Sequence, residues 1–208
     1  MTKPERIPLH TLFEKPRNRK KLEHIADEVK QGAVFVYPTE TIYGLGGAYN
    51  IPDVKKKILA AKQRASDQPM ILIAPDRTFF SKLPIVFPPL AERLARVFWP
   101  GMLTMVLPSM NTEQGVAVRV SNHPFIKALF RYIDQPLFST SANRGGEAYV
   151  NNPDLIYSLF FEAIDFFVDA GPLPPSPPST VVKIGNNDMV TVLREGAVSL
   201  LEILAALH

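Results

Sequence analysis

Residues 33–47 run Ala33-Val34-Phe35-Val36-Tyr37-Pro38-Thr39-Glu40-Thr41-Ile42-Tyr43-Gly44-Leu45-Gly46-Gly47. The first five are apolar or aromatic, a run that predicts a short strand buried on both faces. Pro38 cannot donate to a sheet ladder and stops that strand. Thr39-Glu40-Thr41 forms its exit. Hydroxyls there can orient a small polar substrate, or they can simply bond to the backbone of their own turn. Gly44-Leu45-Gly46-Gly47 gives either a tight turn with close backbone packing or a ligand contact. It is no dinucleotide fingerprint, because no third glycine falls at the required spacing and no acidic residue closes the next strand candidate. No Gly-Lys-Ser/Thr follows, as a phosphate loop needs.

Outward from this stretch, helices and strands interleave. Residues 17–30 predict a helix with Leu22, Ile25, Ala26 and Val29 on one stripe, ended by Gly32. Asn50-Ile51-Pro52-Asp53 starts a second helix that runs to Lys62. Further helices are expected over Pro89–Phe98, Pro124–Tyr132 and Val198–Leu207. Strands are expected at Met70–Ala74, Leu103–Leu107, Val116–Val120, Leu137–Thr140, Ile164–Val168, Thr180–Ile184 and Met189–Leu193. Strands cluster late in the chain, which argues for an α/β (α+β) domain with a mixed parallel and antiparallel sheet flanked by helices. That domain covers residues 17–208, and residues 1–16 are read as an N-terminal extension.

Composition narrows the chemistry. The chain has 208 residues, 46% hydrophobic and 21% charged, which is a globular composition. It has no Cys, which excludes disulfides, thiolate metal sites and cysteine nucleophiles. Four scattered His make no zinc spacing, and no G-x-S-x-G elbow is present. The start of the chain shows neither a signal peptide nor a membrane anchor, so a cytoplasmic protein is expected. The net charge of +3 arises in the first 30 residues, with eight Lys or Arg against five Asp or Glu; the rest of the chain is balanced. A broad nucleic-acid-gripping face is therefore not expected. The Arg17–Lys21 cluster is either a solvated helix start or a polyanion contact. The 20 prolines are about twice the usual share. Their densest run, Pro172–Pro178, is read as a stiff loop that holds Ser179-Thr180 in place.

Two more polar clusters lie beside buried strands. Lys62-Gln63-Arg64-Ala65-Ser66-Asp67 can present a point charge and a planar fork to phosphate oxygens, or form a solvated helix end. Ser139-Thr140-Ser141-Ala142-Asn143 can read a nucleotide or an amino acid, or act as a capping turn. Arg119 lies in a strand whose neighbours suggest burial, so it needs an anion or an internal carboxylate. Arg194 sits at the end of another strand, with an internal salt bridge as its plainest role.

In chain order, Tyr37-Pro38-Thr39-Glu40-Thr41-Ile42-Tyr43-Gly44-Leu45-Gly46, Lys62-Gln63-Arg64 and Trp99-Pro100-Gly101 with Leu103-Thr104 form the first three words of a longer series. Val118-Arg119-Val120 with His123-Pro124, Ser139-Thr140-Ser141-Ala142-Asn143, Ser179-Thr180-Val181-Val182 and Arg194-Glu195-Gly196 complete it. The series resembles the YrdC/YciO-like family, and within it the threonylcarbamoyl-AMP synthases. The resemblance implies a YrdC-like fold whose twisted sheet encloses a deep, positively charged central cavity. It implies a nucleotidyltransferase that joins L-threonine, bicarbonate and ATP into threonylcarbamoyl-adenylate and releases pyrophosphate, with Mg²⁺ bound to ATP. The product would pass to a tRNA threonylcarbamoyl-transferase complex acting on adenosine 37 of tRNAs, and family members also bind tRNA or double-stranded RNA. The alternative it leaves is a YciO-like nucleotide- or double-stranded-RNA-binding protein with little or no synthase activity.

By the same resemblance Thr39, Ser139 and Ser179 hold threonine, and Arg119 meets its carboxylate. Lys62, Arg64, Ser141, Asn143 and Arg194 surround ATP. Lys62, Arg64 and Arg119 are the catalytic candidates, acting by charge stabilisation. No member of the set is a nucleophile, so a carbamate formed from threonine would attack the α-phosphorus directly. The chain departs from the family's words at Ser121, where the word has proline, and at Gln68, Ile73 and Tyr149.

Overall fold

The computed structural model describes residues 3–13, 19–64, 70–185 and 189–207. Ten strands form one mixed sheet. In chain order they are β1 (Glu5–Pro8), β2 (Phe35–Tyr37), β3 (Gly44–Ala48), β4 (Ile71–Ala74), β5 (Leu103–Leu107), β6 (Val116–Val120), β7 (Leu137–Ser141), β8 (Phe166–Asp169), β9 (Thr180–Ile184) and β10 (Val190–Arg194). Across the sheet the order is β1-β8-β2-β3-β7-β4-β6-β5-β9-β10. Parallel pairs (β1 with β8, β2 with β8, β4 with β6, β5 with β9) are mixed with antiparallel ones, as the late clustering of strands led one to expect.

The helices are α1 (Arg19–Lys30), α2 (Pro52–Ala61), α3 (Pro89–Phe98), α4 (Pro124–Leu129), α5 (Pro153–Phe160) and α6 (Leu200–Leu207). Four of these begin on proline at the first helical position. The missing N–H costs nothing there and the fixed φ suits the helix, so these starts absorb part of the proline excess. Two core clusters result. One gathers α1, α3, α4 and α6 residues such as Ile25, Leu94, Phe125 and Ile203. The other packs Val54 and Ile58 of α2 and Ile156 and Phe160 of α5 against Val36, Leu45 and Phe167. No described helix is long and apolar enough to cross a membrane.

Several expectations change. Gly44–Gly47 lies in a strand, not a turn, and all five residues of β3 are buried. It pairs with β2 on one side and β7 on the other. The reason is space. A Cβ on Gly46 would stand 2.2 Å from the Phe138 carbonyl oxygen, and one on Gly47 would stand 2.6 Å from that of Ala33. Residues 5–12, read as part of an extension, belong to the sheet domain. β1 adds a parallel edge beside β8, and Ile7 and Leu12 enter the core at 1% and 3% exposure. Helix α5 was not expected, although Asn152 caps it by accepting from the Asp154 and Leu155 N–H groups. Helix α4 stops at Leu129 rather than Tyr132. The first two residues of the Arg17–Lys21 cluster, together with Ala65–Asp67 and Gln68, lie outside the described residues.

The Gly46 contact gives a direct test. Gly46→Ala forces a methyl onto backbone that cannot rotate away, so it should cost roughly 3 kcal/mol or more of stability. A fall in the urea midpoint without a change in slope measures it. An unchanged midpoint would show that β3 can shift.

Candidate functional site

Over the sheet from β7 to β10 lies a cavity of about 470 Å³. That volume is in the range of small-ligand pockets. Its apolar floor comes from strand alternation. Ile71, Val106, Ala117 and Val181 face the cavity from four adjacent strands. Residues one step away along the same strands, Leu72, Met105, Val118 and Val182, enter the core.

The polar groups come from the strand ends. Of the nine expected site residues, Thr39, Arg64, Arg119, Ser139, Ser141, Asn143, Ser179 and Arg194 all line this one cavity. Among the described residues the lining includes no Asp, Glu or His, so their fixed charge is positive. Tyr149, one of the departures from the family's words, lines it too. Its hydroxyl accepts from the Tyr43 N–H at 3.1 Å, which pins Tyr149 to the start of β3.

The hydroxyls are held in fixed rotamers. Tyr37 donates to Ser139 Oγ at 2.7 Å, which leaves the serine's own hydrogen for something in the cavity. Burial pushes the Tyr37 phenol far above its usual pKa, so it stays a donor. Thr39 Oγ1 donates to the Ile42 carbonyl at 2.7 Å and accepts the Thr41 and Ile42 N–H groups. The turn reading of Thr39 therefore holds, while the residue also lines the cavity. Ser179 Oγ lies 2.9 Å from Thr104 Oγ1, a partner the sequence reading did not include. The stiff proline run ends at this serine. Within it Leu173 is anchored by Asn151, which donates to its carbonyl at 2.6 Å and accepts its N–H at 3.0 Å.

The cations take different roles. Arg119 is 5% exposed and meets the internal carboxylate of Glu40, Nη2 to Oε2 at 2.9 Å. Its Nε donates to the Gly101 carbonyl at 2.9 Å and its Nη1 to Thr41 Oγ1 at 3.2 Å. A guanidinium has five N–H groups. These bonds leave one on each terminal nitrogen. Desolvation lowers the pKa of Arg119, although Glu40 opposes it. Arg194 has no carboxylate partner among the described residues. It donates to the Ser179 carbonyl at 3.2 and 2.8 Å and to Ser179 Oγ at 3.3 Å. Burial and then the charge of Arg119 lower its pKa. The Arg64 side chain makes no hydrogen bond among the described residues and is the freest cation of the lining.

Lys62 is not part of the lining. Its ammonium is 1% exposed and lies under the Ser-Ala-Asn turn. It donates to the Ser141 carbonyl at 2.5 Å, the Asn143 carbonyl at 2.6 Å and Asn143 Oδ1 at 3.3 Å. Its own carbonyl accepts the Gly145 N–H at 2.8 Å. Lys62 is a strut that shapes the 141–145 turn. The sequence reading missed Glu40 altogether as a site residue, although an acid between two threonines at the end of a buried strand was a signal for it. No group of three His, Cys, Asp or Glu able to hold a metal occurs among the described residues.

Comparison with known proteins follows the same lines. The Sua5_yciO_yrdC family, described as "Telomere recombination", matches residues 27–196. A threonylcarbamoyl-AMP synthase of Bacillus subtilis is 32% identical over 191 residues, 88% of this chain and 55% of that protein. The crystal structure of Pyrococcus abyssi Sua5 complexed with L-threonine superposes with a TM-score of 0.83 at 28% identity, covering 99% of this chain and 61% of that one. This chain thus spans little more than half the length of these two relatives. Escherichia coli YciO shares the fold at a TM-score of 0.82 and 23% identity, with 98% of this chain and 100% of that one covered.

The Lys62 strut is testable by pH. Desolvation first, and then the Arg64 charge, pull its pKa from 10.5 to about 8. An unfolded chain keeps that proton up to the ordinary value, so it binds more protons than the folded one between those pH values. The contribution of Lys62 to stability is therefore flat below pH 8 and rises from about 8 towards 10.5. The difference in unfolding free energy between wild type and Lys62→Met should follow that rise in denaturant melts across pH 7–10. A pH-independent difference would refute the lowered pKa.

Proposed function

The chain belongs to the Sua5/YciO/YrdC family, and from that membership we propose that it is a threonylcarbamoyl-AMP synthase of the tRNA-modification pathway. One observation carries the reading. Residues from segments more than 150 positions apart, Thr39 to Arg194, converge on one cavity with hydroxyl donors, guanidinium N–H groups left over and, among the described residues, no carboxylate.

In this reading L-threonine lies at the Arg119 end. The two free N–H groups of Arg119 form a fork that matches a carboxylate. Ser139, with its hydroxyl hydrogen left over by Tyr37, and Ser179 would bind the polar atoms of the amino acid. The relative that binds L-threonine has this fold. ATP would lie towards Arg64, Ser141 and Asn143, where an unpaired cation suits phosphate oxygens. Mg²⁺ would enter as part of the MgATP substrate.

The chemistry asked of the chain is positioning and charge stabilisation. The threonine amine combines with bicarbonate to give a carbamate. A carbamate oxygen attacks the α-phosphorus, and pyrophosphate leaves. Arg64 and Arg194 would stabilise charge gathering on the phosphoryl oxygens. Both reactants, held in one cavity, would gain from the lost freedom of encounter. Transfer of the threonylcarbamoyl group to tRNA would need a separate transferase complex.

The assay is pyrophosphate release with ATP, Mg²⁺, bicarbonate and threonine, each omitted in turn. Release should require all of them. Threonine-independent release, or none, would favour the YciO-like alternative. Arg64→Ala should lower the rate on the order of 10²-fold, as loss of one charge-stabilising donor does elsewhere. Circular dichroism should show the fold intact, because Arg64 holds no other side chain. An unaltered rate would remove Arg64 from the site.

A further inference from the structure

We infer that Glu40 and Ser121 are positioning residues for Arg119: together they fix its guanidinium so that one N–H on each terminal nitrogen is left for a carboxylate in the cavity. The identity of that carboxylate as threonine's rests on the synthase reading. The clamp itself does not.

Glu40 is not among the residues lining the cavity, so it acts only through others. Its carboxylate is gripped from several sides. Arg119 Nη2 donates to Oε2 at 2.9 Å. The Ser121 hydroxyl lies 3.0 Å from Oε1 and 3.1 Å from Oε2. The Asn122 backbone N–H donates to Oε1 as well. Ser121 is in turn immobile. It is fully buried, its N–H donates to the Ala74 carbonyl at 2.8 Å, and its hydroxyl accepts the His123 N–H at 3.2 Å. A chain of contacts therefore runs from the end of β4 through Ser121 and Glu40 to Arg119 on β6.

Without Glu40, Arg119 keeps Gly101 and Thr41 as partners, both on the Nε and Nη1 atoms. Nothing then holds Nη2, and the fork loses its aim. Glu40 also offsets the charge of Arg119, so Arg64 and Arg194 supply the net positive charge of the cavity. A group that donates to a buried carboxylate contributes more than a neutral hydrogen bond does, which makes the Ser121 hydroxyl a measurable part of the clamp.

Steady-state pyrophosphate release by Ser121→Ala and Glu40→Gln tests the inference. The expected result is a rise in the threonine KM of roughly 10-fold for Ser121→Ala and more for Glu40→Gln, with kcat and the ATP KM unchanged. The ¹⁵Nη2–H resonances of Arg119, which Glu40 holds in the wild type, should exchange faster in both variants, while the Nε–H that keeps the Gly101 carbonyl should not change. An unchanged threonine KM with an unchanged resonance overturns the inference. So does a fall in kcat with a parallel rise in both KM values and a lowered melting temperature, which marks a purely structural role. If the wild type shows no threonine-dependent release, the synthase reading fails and the Arg119 resonance decides alone. Faster exchange in Glu40→Gln then supports the clamp, and identical exchange overturns it.

Discussion

The ring of Tyr37 lies across a strand that has no side chains to stop it. A Cβ on Gly44 would stand 3.2 Å from the ring's Cζ, and one on Gly46 3.1 Å from its Cε1. Because both positions are bare, the phenol passes over β3 and reaches Ser139 on the strand beyond. This contact ties three strands together and sets the rotamer of a cavity serine with one hydrogen bond. On the other side of the same strand, bare Gly47 admits Val54 of α2. The glycines thus serve packing, which aims the ligand groups, and Gly44 itself also lines the cavity.

The same logic governs the charges. Burying a cation is costly unless its protons are met by acceptors. Lys62 has three ammonium hydrogens and three nearby oxygens, all from the 141–143 turn. Arg119 has three of its five donors met and two left. Arg64 has an unmet side chain at the cavity wall. The cations in and beneath the cavity therefore run from fully satisfied to unsatisfied, and the unsatisfied ones are at its wall, where an anion is stabilised. A folded chain that buried so much positive charge without this arrangement would lose stability through each unpaired donor.

The sequence made the sheet class and most strands legible because buried strands and Pro-initiated helices carry local signals. Eight of the nine expected site residues line the cavity, and they were legible because short polar words interrupt those strands. What escaped depends on distant partners. Whether three glycines within four residues form a turn or a strand is decided by Phe138 and Ala33, which lie outside the stretch. Lys62 reads as a phosphate contact until the Ser-Ala-Asn carbonyls close over it. Residues 5–8 become a strand only because β8 offers a parallel edge. Helix α5 carries an Asn cap and a leading proline, but it is short and leaves Leu155 56% exposed, so its apolar stripe is weak.

The departures from the family's words gain sense in the same terms. Ser121 places a hydroxyl on Glu40, where a proline would offer neither that hydrogen bond nor the N–H that Ala74 accepts. Tyr149 replaces a small hydroxyl with a long one, and its oxygen holds the entrance of β3 while its ring closes the cavity wall. Ile73 pairs with Arg119 on one side and Leu137 on the other and is 1% exposed, so a polar group there would need a partner of its own. None of these three changes adds a charge to the cavity. In this chain the cavity's cations, Arg64, Arg119 and Arg194, thus stand in a frame built from Ser121, Tyr149 and Ile73.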